Sequence, residues 1–180
     1  MELQILHAIQ GIHQDWLTSV MRLFTTMGEH GLVWIVIAIV LACIPKTRKC
    51  GLTMMIAMAI TYFVGNLFLK NVFARPRPCA VDNSVVLKIP FPSEYSFPSG
   101  HSSNGFAGAV TIFCYYRKAG ILSLIMAALI AFSRLYFFVH YPTDILGGIA
   151  LGTLDALLAV YLVKRLEACK NAKNATGESE

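Results

Sequence analysis

The segment GLTMMIAMAITYFVGNLFLKNVFARPRP, residues 51–78, changes character at Lys70. Its first 19 residues, 51–69, carry no charged side chain. A helix of that length, rising about 1.5 Å per residue, nearly spans the ~30 Å core of a bilayer. The last nine residues carry three cations and two prolines. The segment therefore predicts a membrane-spanning helix that ends in a cationic turn.

The rest of the chain has a similar apolar character. Of its 180 residues, 56% are hydrophobic and 14% are charged, and its mean hydropathy is +0.61. This composition is too apolar for an ordinary soluble domain. We therefore expect one all-α, polytopic membrane helical bundle with about five transmembrane helices. Besides 51–69, the apolar segments are about 30–44, 102–116, 120–138 and 143–163.

Residues 1–27 differ from these segments because their apolar side chains recur at helical spacing between polar and charged ones. This pattern is typical of an amphipathic helix in the membrane interface, and a sixth crossing is the alternative. We divide the chain into an N-terminal interfacial helix (1–28), a membrane-embedded domain (29–165) and a polar cytoplasmic tail (166–180).

The basic residues predict the orientation of the bundle. Nine of the fifteen lie in loops 45–49 and 117–118 and at C-terminal positions 164–173, all on one side of a five-helix arrangement. That side, with the C-terminus, is expected to be cytoplasmic in a multi-pass cell-membrane protein. The net charge of +5 does not indicate a nucleic-acid partner, because the basic residues form no stripe.

Lys70 and Arg77 fall on the opposite, extracytoplasmic side. Arginine offers a planar fork of donors for phosphate oxygens and lysine a mobile point charge, so together they suit a multiply charged anion. The alternative is a pair of cations that snorkel to the membrane boundary.

A second polar stretch, PSGH, begins at Pro98. The proline is expected to stop any preceding helix, and Ser99 to cap a helix that starts near Gly100. The start of a helix presents unpaired N–H groups and the positive end of a dipole, so it can bind an anion with His101 beside it. A capped helix with an incidental histidine is the alternative.

A third polar stretch, residues 133–144, reads SRLYFFVHYPTD. It places Arg134 near the outer end of the fourth segment, His140 in a turn and Asp144 in the first turn of the fifth segment. A carboxylate four positions after a histidine can accept the Nδ1 proton and leave Nε2 free as a nucleophile. A capping aspartate with a surface histidine is the alternative.

The three stretches in order form the pattern K-x6-R-P, P-S-G-H and S-R-x5-H-x3-D, which resembles the type 2 phosphatidic acid phosphatase superfamily, a group that also contains vanadium haloperoxidases. The resemblance covers about residues 30–165. It implies a helical bundle that removes phosphate from a lipid phosphate or pyrophosphate through a phosphohistidine, without a metal or other cofactor.

The resemblance also implies a role for each matching residue. His140 resembles the nucleophile, Asp144 its orienting partner and His101 the acid that protonates the leaving oxygen. The residues that resemble the phosphate binders are Lys70, Arg77, Ser99, Gly100 and Arg134.

Three features fall outside the motifs. Arg75 supplies a second Arg-Pro pair, so either Arg75 or Arg77 could face the substrate. The spacing of the motif favours Arg77. Arg75 is then expected to support the substrate-binding residues, as is Pro98. Asp155 lies about 16 Å deeper than Asp144 along the same helix, where a structural role is expected. Residues 79–97 could form a lid over the site or a packed surface loop.

The expected activity is that of an integral-membrane lipid phosphatase whose partners are a lipid phosphate and the membrane lipids. On resemblance alone, undecaprenyl pyrophosphate is the favoured substrate, and phosphatidylglycerol phosphate and phosphatidic acid are alternatives. A transporter and a noncatalytic lipid-binding protein are the remaining hypotheses. The active site is expected on the extracytoplasmic face.

Overall fold

The structure, a computed structural model, describes residues 1–176, apart from the side chains at positions 173, 175 and 176. Over this range it is helical and contains no strand. The prediction of an all-α fold is confirmed. The α-helices are α1 (Glu2–Gln10), α2 (Asp15–Met27), α3 (Leu32–Cys43), α4 (Arg48–Thr61), α5 (Lys70–Phe73), α6 (Pro78–Val81), α7 (Gly100–Tyr115), α8 (Arg117–Tyr136) and α9 (Pro142–Thr176).

Three helical stretches within residues 1–176 are long and apolar enough to cross a membrane: Arg48–Val81, Arg117–Tyr136 and Pro142–Ala172. The first is α4 continued through a π-helical stretch, Tyr62–Leu69, into α5 and α6. A fourth span results if α2 and α3, which meet at a 47° bend, count together. The expected five spans would also need α7, whose 16 residues rise only about 24 Å.

The N-terminal 27 residues form two helices rather than one. The chain leaves helical geometry between Gln10 and Asp15, and both helices pack on the end of α8. The rings of His13 and Tyr136 stack with centroids 3.9 Å apart, and the Tyr136 hydroxyl is 2.7 Å from Thr18 Oγ1. These contacts bring the N-terminal helices to the end of the bundle where α9 begins.

The C-terminal helix runs past the expected tail boundary at 165/166. α9 continues to Thr176, so the first part of the predicted polar tail is helical. Residues 177–180 of that tail lie outside the described range.

Helix α7 lies at the centre of the bundle, packed against α8 and α9. Small residues allow this close approach. A Cβ added at Gly152 of α9 would lie 2.1 Å from the Ser103 carbonyl oxygen of α7, and one at Gly148 would lie 2.7 Å from the Ser99 oxygen. This packing fixes the start of α7 against the start of α9.

We expect Gly152→Ala to destabilise the bundle by about 1–3 kcal/mol, because the new methyl group collides with backbone atoms that cannot rotate away. Thermal unfolding in detergent should show a midpoint lower by several degrees. Leu154→Ala, on the exposed face of the same helix, is the control and should change the midpoint much less. Equal midpoints for Gly152→Ala and the wild type would contradict this packing.

Candidate active site

The polar stretches of the sequence meet at one end of the bundle, around a cavity of about 620 Å³. The end of α4–α5, the start of α7, the end of α8 and the turn before α9 each contribute to its wall. The cavity thus brings together most of the residues expected to form the site. Those in its wall are Lys70, Arg77, Gly100, His101, Arg134 and His140.

His140 is held as a neutral imidazole with a defined tautomer. Its Nε2 lies 3.0 Å from Arg77 Nη1, and because arginine only donates, Nε2 accepts and Nδ1 carries the proton. Nδ1 faces Asp144 Oδ2 at 3.5 Å. Burial, reinforced by the nearby Arg77 and Arg134, lowers the pKa of His140 to about 3 against the opposing effect of Asp144. This is the protonation state that a nucleophile needs.

Asp144 is fully buried and has a partner for each oxygen. Oδ2 accepts from the Tyr141 backbone N–H at 2.8 Å and from the Ser96 hydroxyl. Oδ1 accepts from Arg75 Nη1 at 2.6 Å. Arg75 therefore reaches the carboxylate behind His140, whereas Arg77 reaches the imidazole from the cavity side.

The cations in the cavity wall are arranged for an anion. Lys70, itself buried, pairs with the Glu94 carboxylate, and this hydrogen bond lowers the pKa of Glu94. Arg134 Nη1 donates to the Thr25 hydroxyl, while its buried Nε has no hydrogen-bond partner. Since buried polar groups are nearly always paired, this free donor is what a bound phosphate oxygen would satisfy.

The start of α7 has the predicted form. The Ser99 side chain accepts from the Ser102 N–H at 3.4 Å, so Ser99 caps the helix and follows Pro98. Ser99 is fully buried and is not part of the cavity wall, whereas Gly100 is. A Cβ at Gly100 would lie 3.9 Å from Lys70 Nζ, so the glycine keeps space open beside the lysine.

His101 lies in the cavity wall and contacts α2. Its Nε2 is 3.2 Å from the Thr25 carbonyl oxygen, and since a carbonyl only accepts, Nε2 carries a proton. In this orientation the proton points to α2, so the ring must turn, or use Nδ1, to serve a leaving group.

Loop 79–97 forms part of the site, because residues 88–94 line the cavity. Arg77 holds the loop: its Nε donates to the Glu94 carbonyl oxygen at 2.7 Å. Asp155 lies elsewhere in the bundle, buried, and accepts a hydrogen bond of 2.8 Å from Thr61. This contact fits the structural role expected for Asp155.

Several residues of the site carry no sequence signal of their own. Ser96, which bonds Asp144, and Thr25, which contacts Arg134 and His101, are single hydroxyl residues far from their partners in the chain. Arg22 also lines the cavity, although its position in α2 predicted only the polar face of an interfacial helix. Tertiary packing alone brings these residues to the site.

The fold and the site together define a helical membrane protein with a buried imidazole–carboxylate pair beside a cationic cavity. The model of the PAP2 superfamily matches residues 50–168. An undecaprenyl-diphosphatase of Sulfolobus acidocaldarius is 33% identical, with 87% of this chain and 79% of that protein covered. Undecaprenyl-diphosphatase BcrC of Bacillus subtilis is 30% identical, with 88% and 82% covered. The chain belongs to the PAP2 superfamily and is a membrane phosphatase.

Solved structures agree with this assignment. The transmembrane PAP2-type phosphatidylglycerolphosphate phosphatase of Bacillus subtilis superimposes with a TM-score of 0.74 and 29% identity, over 90% of this chain and 84% of that one. Aquifex aeolicus LpxE shares the fold, with a TM-score of 0.79 at 23% identity over 89% of this chain and 94% of that one.

Proposed function

We propose that this protein hydrolyses undecaprenyl diphosphate to undecaprenyl phosphate and inorganic phosphate, with His140 as the nucleophile. The observation that carries the proposal is a cavity whose wall brings three buried cations, Lys70, Arg77 and Arg134, to the His140 imidazole and which adjoins an apolar groove. The substrate is suggested by the relatives named undecaprenyl-diphosphatase. Phosphatidylglycerol phosphate and phosphatidic acid are the alternative substrates.

The geometry supports a two-step reaction. His140 Nε2 attacks the terminal phosphorus, forming an N–P bond as the P–O bond to the lipid phosphate breaks, and His101 gives a proton to the leaving oxygen. Water then attacks the phosphorus, the N–P bond breaks, and the water proton returns to His101. Lys70, Arg77 and Arg134 stabilise the charge on the transferred phosphoryl group.

Asp144 supports the attack electrostatically. As Nε2 forms its bond to phosphorus, the imidazole of His140 gains positive charge, which the buried carboxylate stabilises through Nδ1–H. The contact between Arg77 and Nε2 must open at this step, which frees the Arg77 donor for a phosphate oxygen. The same arginine thus holds the nucleophile before attack and binds the phosphoryl group during it.

An apolar groove of about 300 Å³ supports a lipid-tailed substrate. It lies between α3 and α4 and shares His30 and Asn104 with the catalytic cavity. Ile35, Met58 and Phe63 are among its apolar walls. A phosphate held among the cations can therefore extend an apolar chain sideways between these helices and into the bilayer.

The direction of the helices supports an extracytoplasmic site. In a five-span arrangement the crossing helices are α3, α4–α5, α7, α8 and α9. The cavity then lies at one membrane face. The basic residues of the two short loops lie at the other face: Lys46, Arg48, Lys49, Arg117 and Lys118. By the positive-inside rule the latter face is cytoplasmic. In this arrangement α1 lies at the outer interface, α2 continues into α3 across the 47° bend to complete one span, and the end of α9 is cytoplasmic.

Turnover of a panel of lipids tests the proposed substrate. The purified protein in detergent, with a chelator present, should release phosphate from undecaprenyl diphosphate with a kcat/KM at least about tenfold above that for phosphatidylglycerol phosphate or phosphatidic acid. A higher kcat/KM on either glycerolipid would replace the proposed substrate by that lipid. Loss of activity on adding the chelator would contradict a metal-independent reaction.

Arg22 and Lys88 give the cavity two further cations, and Arg22 Nη2 donates to the Lys88 carbonyl oxygen at 3.0 Å. We expect this pair to bind the second phosphate of a diphosphate. Arg22→Gln should raise KM for undecaprenyl diphosphate about three- to tenfold and leave KM for phosphatidic acid within about twofold. Arg117→Gln, at the opposite end of the bundle, is the matched control. Equal KM increases for both lipids would contradict this role.

A further inference from the structure

The N-terminal helix contacts the catalytic carboxylate through one arginine. Glu2 lies in the first turn of α1, and its Oε2 accepts from Arg75 Nη2 at 2.6 Å. Arg75 Nη1 donates to Asp144 Oδ1, also at 2.6 Å. Arg75 therefore bridges two carboxylates, one at each end of its guanidinium group.

Further contacts hold the bridge in place. They are made to Tyr141, just before α9, and to Thr143, in the first turn of α9. The Thr143 hydroxyl accepts from Arg75 Nη1 at 2.7 Å and lies 2.7 Å from Glu2 Oε1, which also accepts from the Thr143 N–H at 3.2 Å. The guanidinium of Arg75 lies over the Tyr141 ring, 3.9 Å from its centroid. The planar fork of an arginine suits this arrangement, whereas a lysine could not bond both carboxylates in the same geometry.

The three bridged side chains differ in how deeply they are buried. The side chains of Glu2 and Arg75 are 32% and 29% exposed, while Asp144 is fully buried. Neither Glu2 nor Arg75 lies in the wall of the catalytic cavity. Their direct side-chain route to the reacting atoms is the hydrogen bond from Arg75 to Asp144, which faces the His140 imidazole.

The charges explain why a second carboxylate is needed. Arg75 alone would hold Asp144 in place but would also oppose the positive charge that develops on His140 during attack. A carboxylate on the far side of Arg75 balances that charge and keeps the guanidinium in its bridging orientation.

We propose that Glu2 is a positioning residue for catalysis: through Arg75, it holds Asp144 in the orientation and charge state that support His140. The inference rests on the proposed function, in which His140 is the nucleophile. It makes α1 part of the catalytic apparatus in addition to its place in the membrane interface.

A double-mutant cycle on the full-length protein tests this role. Glu2→Gln keeps the size of the side chain and an acceptor for Thr143 but removes the charge. It should lower kcat about 5- to 20-fold with KM within about twofold, since Glu2 does not touch the substrate. In an Arg75→Gln background the same change should alter kcat less than about twofold, because the connection to Asp144 is already lost.

The matched control is Asp15→Asn, an exposed carboxylate in the first turn of α2, which should leave kcat unchanged. If Glu2→Gln does not fold, Arg75→Lys takes its place and should give the same selective loss of kcat. An unchanged kcat, or an equal loss in both backgrounds, would overturn the inference and leave the function of His140 intact. Full activity of a His140 variant would instead overturn the proposed reaction.

Discussion

Replacing His140 with asparagine is expected to lower kcat for undecaprenyl diphosphate by at least about 1,000-fold, because no other group can form the covalent bond to phosphorus from its position. Asparagine is close in size and keeps an N–H that can face Asp144, so the cavity should keep its shape. The measurement is phosphate release at saturating substrate, with thermal unfolding to verify the fold.

His7→Asn is the matched control for this change. His7 is a partly exposed histidine of α1 that pairs with Asp82 and lies outside the cavity, so its variant should retain nearly full activity. A His140→Asn protein within about tenfold of the wild-type kcat would contradict a nucleophilic role for His140.

The second large effect is expected for Asp144→Asn. The variant keeps the shape of the side chain, but its amide group cannot accept all the hydrogen bonds that now reach the carboxylate from Tyr141, Ser96 and Arg75. It also no longer fixes the Nδ1–H tautomer of His140 or stabilises the positive imidazole. We expect kcat to fall about 10²- to 10⁴-fold, with a much smaller change in KM.

Asp155→Asn offers the same substitution on the same helix, away from the cavity. Its side chain accepts from Thr61, and an asparagine oxygen can do the same, so activity should stay close to that of the wild type. If Asp155→Asn and Asp144→Asn reduced kcat equally, the loss would reflect the fold of α9, and the proposed role of Asp144 would be wrong.

The sequence was sufficient to predict the convergence of the main site residues because membrane crossing restricts where each segment can end. Lys70, His101 and Arg134 lie more than 25 residues apart in the chain, yet each follows or precedes an apolar segment on the same side. The structure places all of them in one cavity wall with Arg77 and His140. In such a bundle, hydropathy predicts the depth of a residue, and the spacing within each motif predicts its neighbours.

The sequence was not sufficient for contacts made between separate elements. Nothing near Glu2 indicates that it reaches Arg75, because that contact depends on how α1 packs against the start of α9. The sequence also indicated two roles for Ser99, as a phosphate binder and as the cap of α7, and did not decide between them. In the structure the Ser99 side chain is buried and caps α7.

The helix breaks in the N-terminal region are not visible in the apolar periodicity of the sequence. A continuous helical pattern predicted one helix over residues 1–27, but Gly11 ends α1 and a turn separates it from α2. A second break follows at Gly28, where the chain bends by 47°, and His30 and Gly31 just beyond it have positive φ. Glycine marks both positions, while the apolar pattern continues across them.

The stereochemical course at phosphorus tests the central claim most directly. With a substrate whose terminal thiophosphoryl group is made chiral by two oxygen isotopes and is hydrolysed in water of the third isotope, attack by His140 followed by attack of water inverts the phosphorus twice, so the released chiral thiophosphate should show overall retention of configuration. Overall inversion would mean that water attacks the lipid phosphate in a single step, and it would contradict a phosphohistidine at His140.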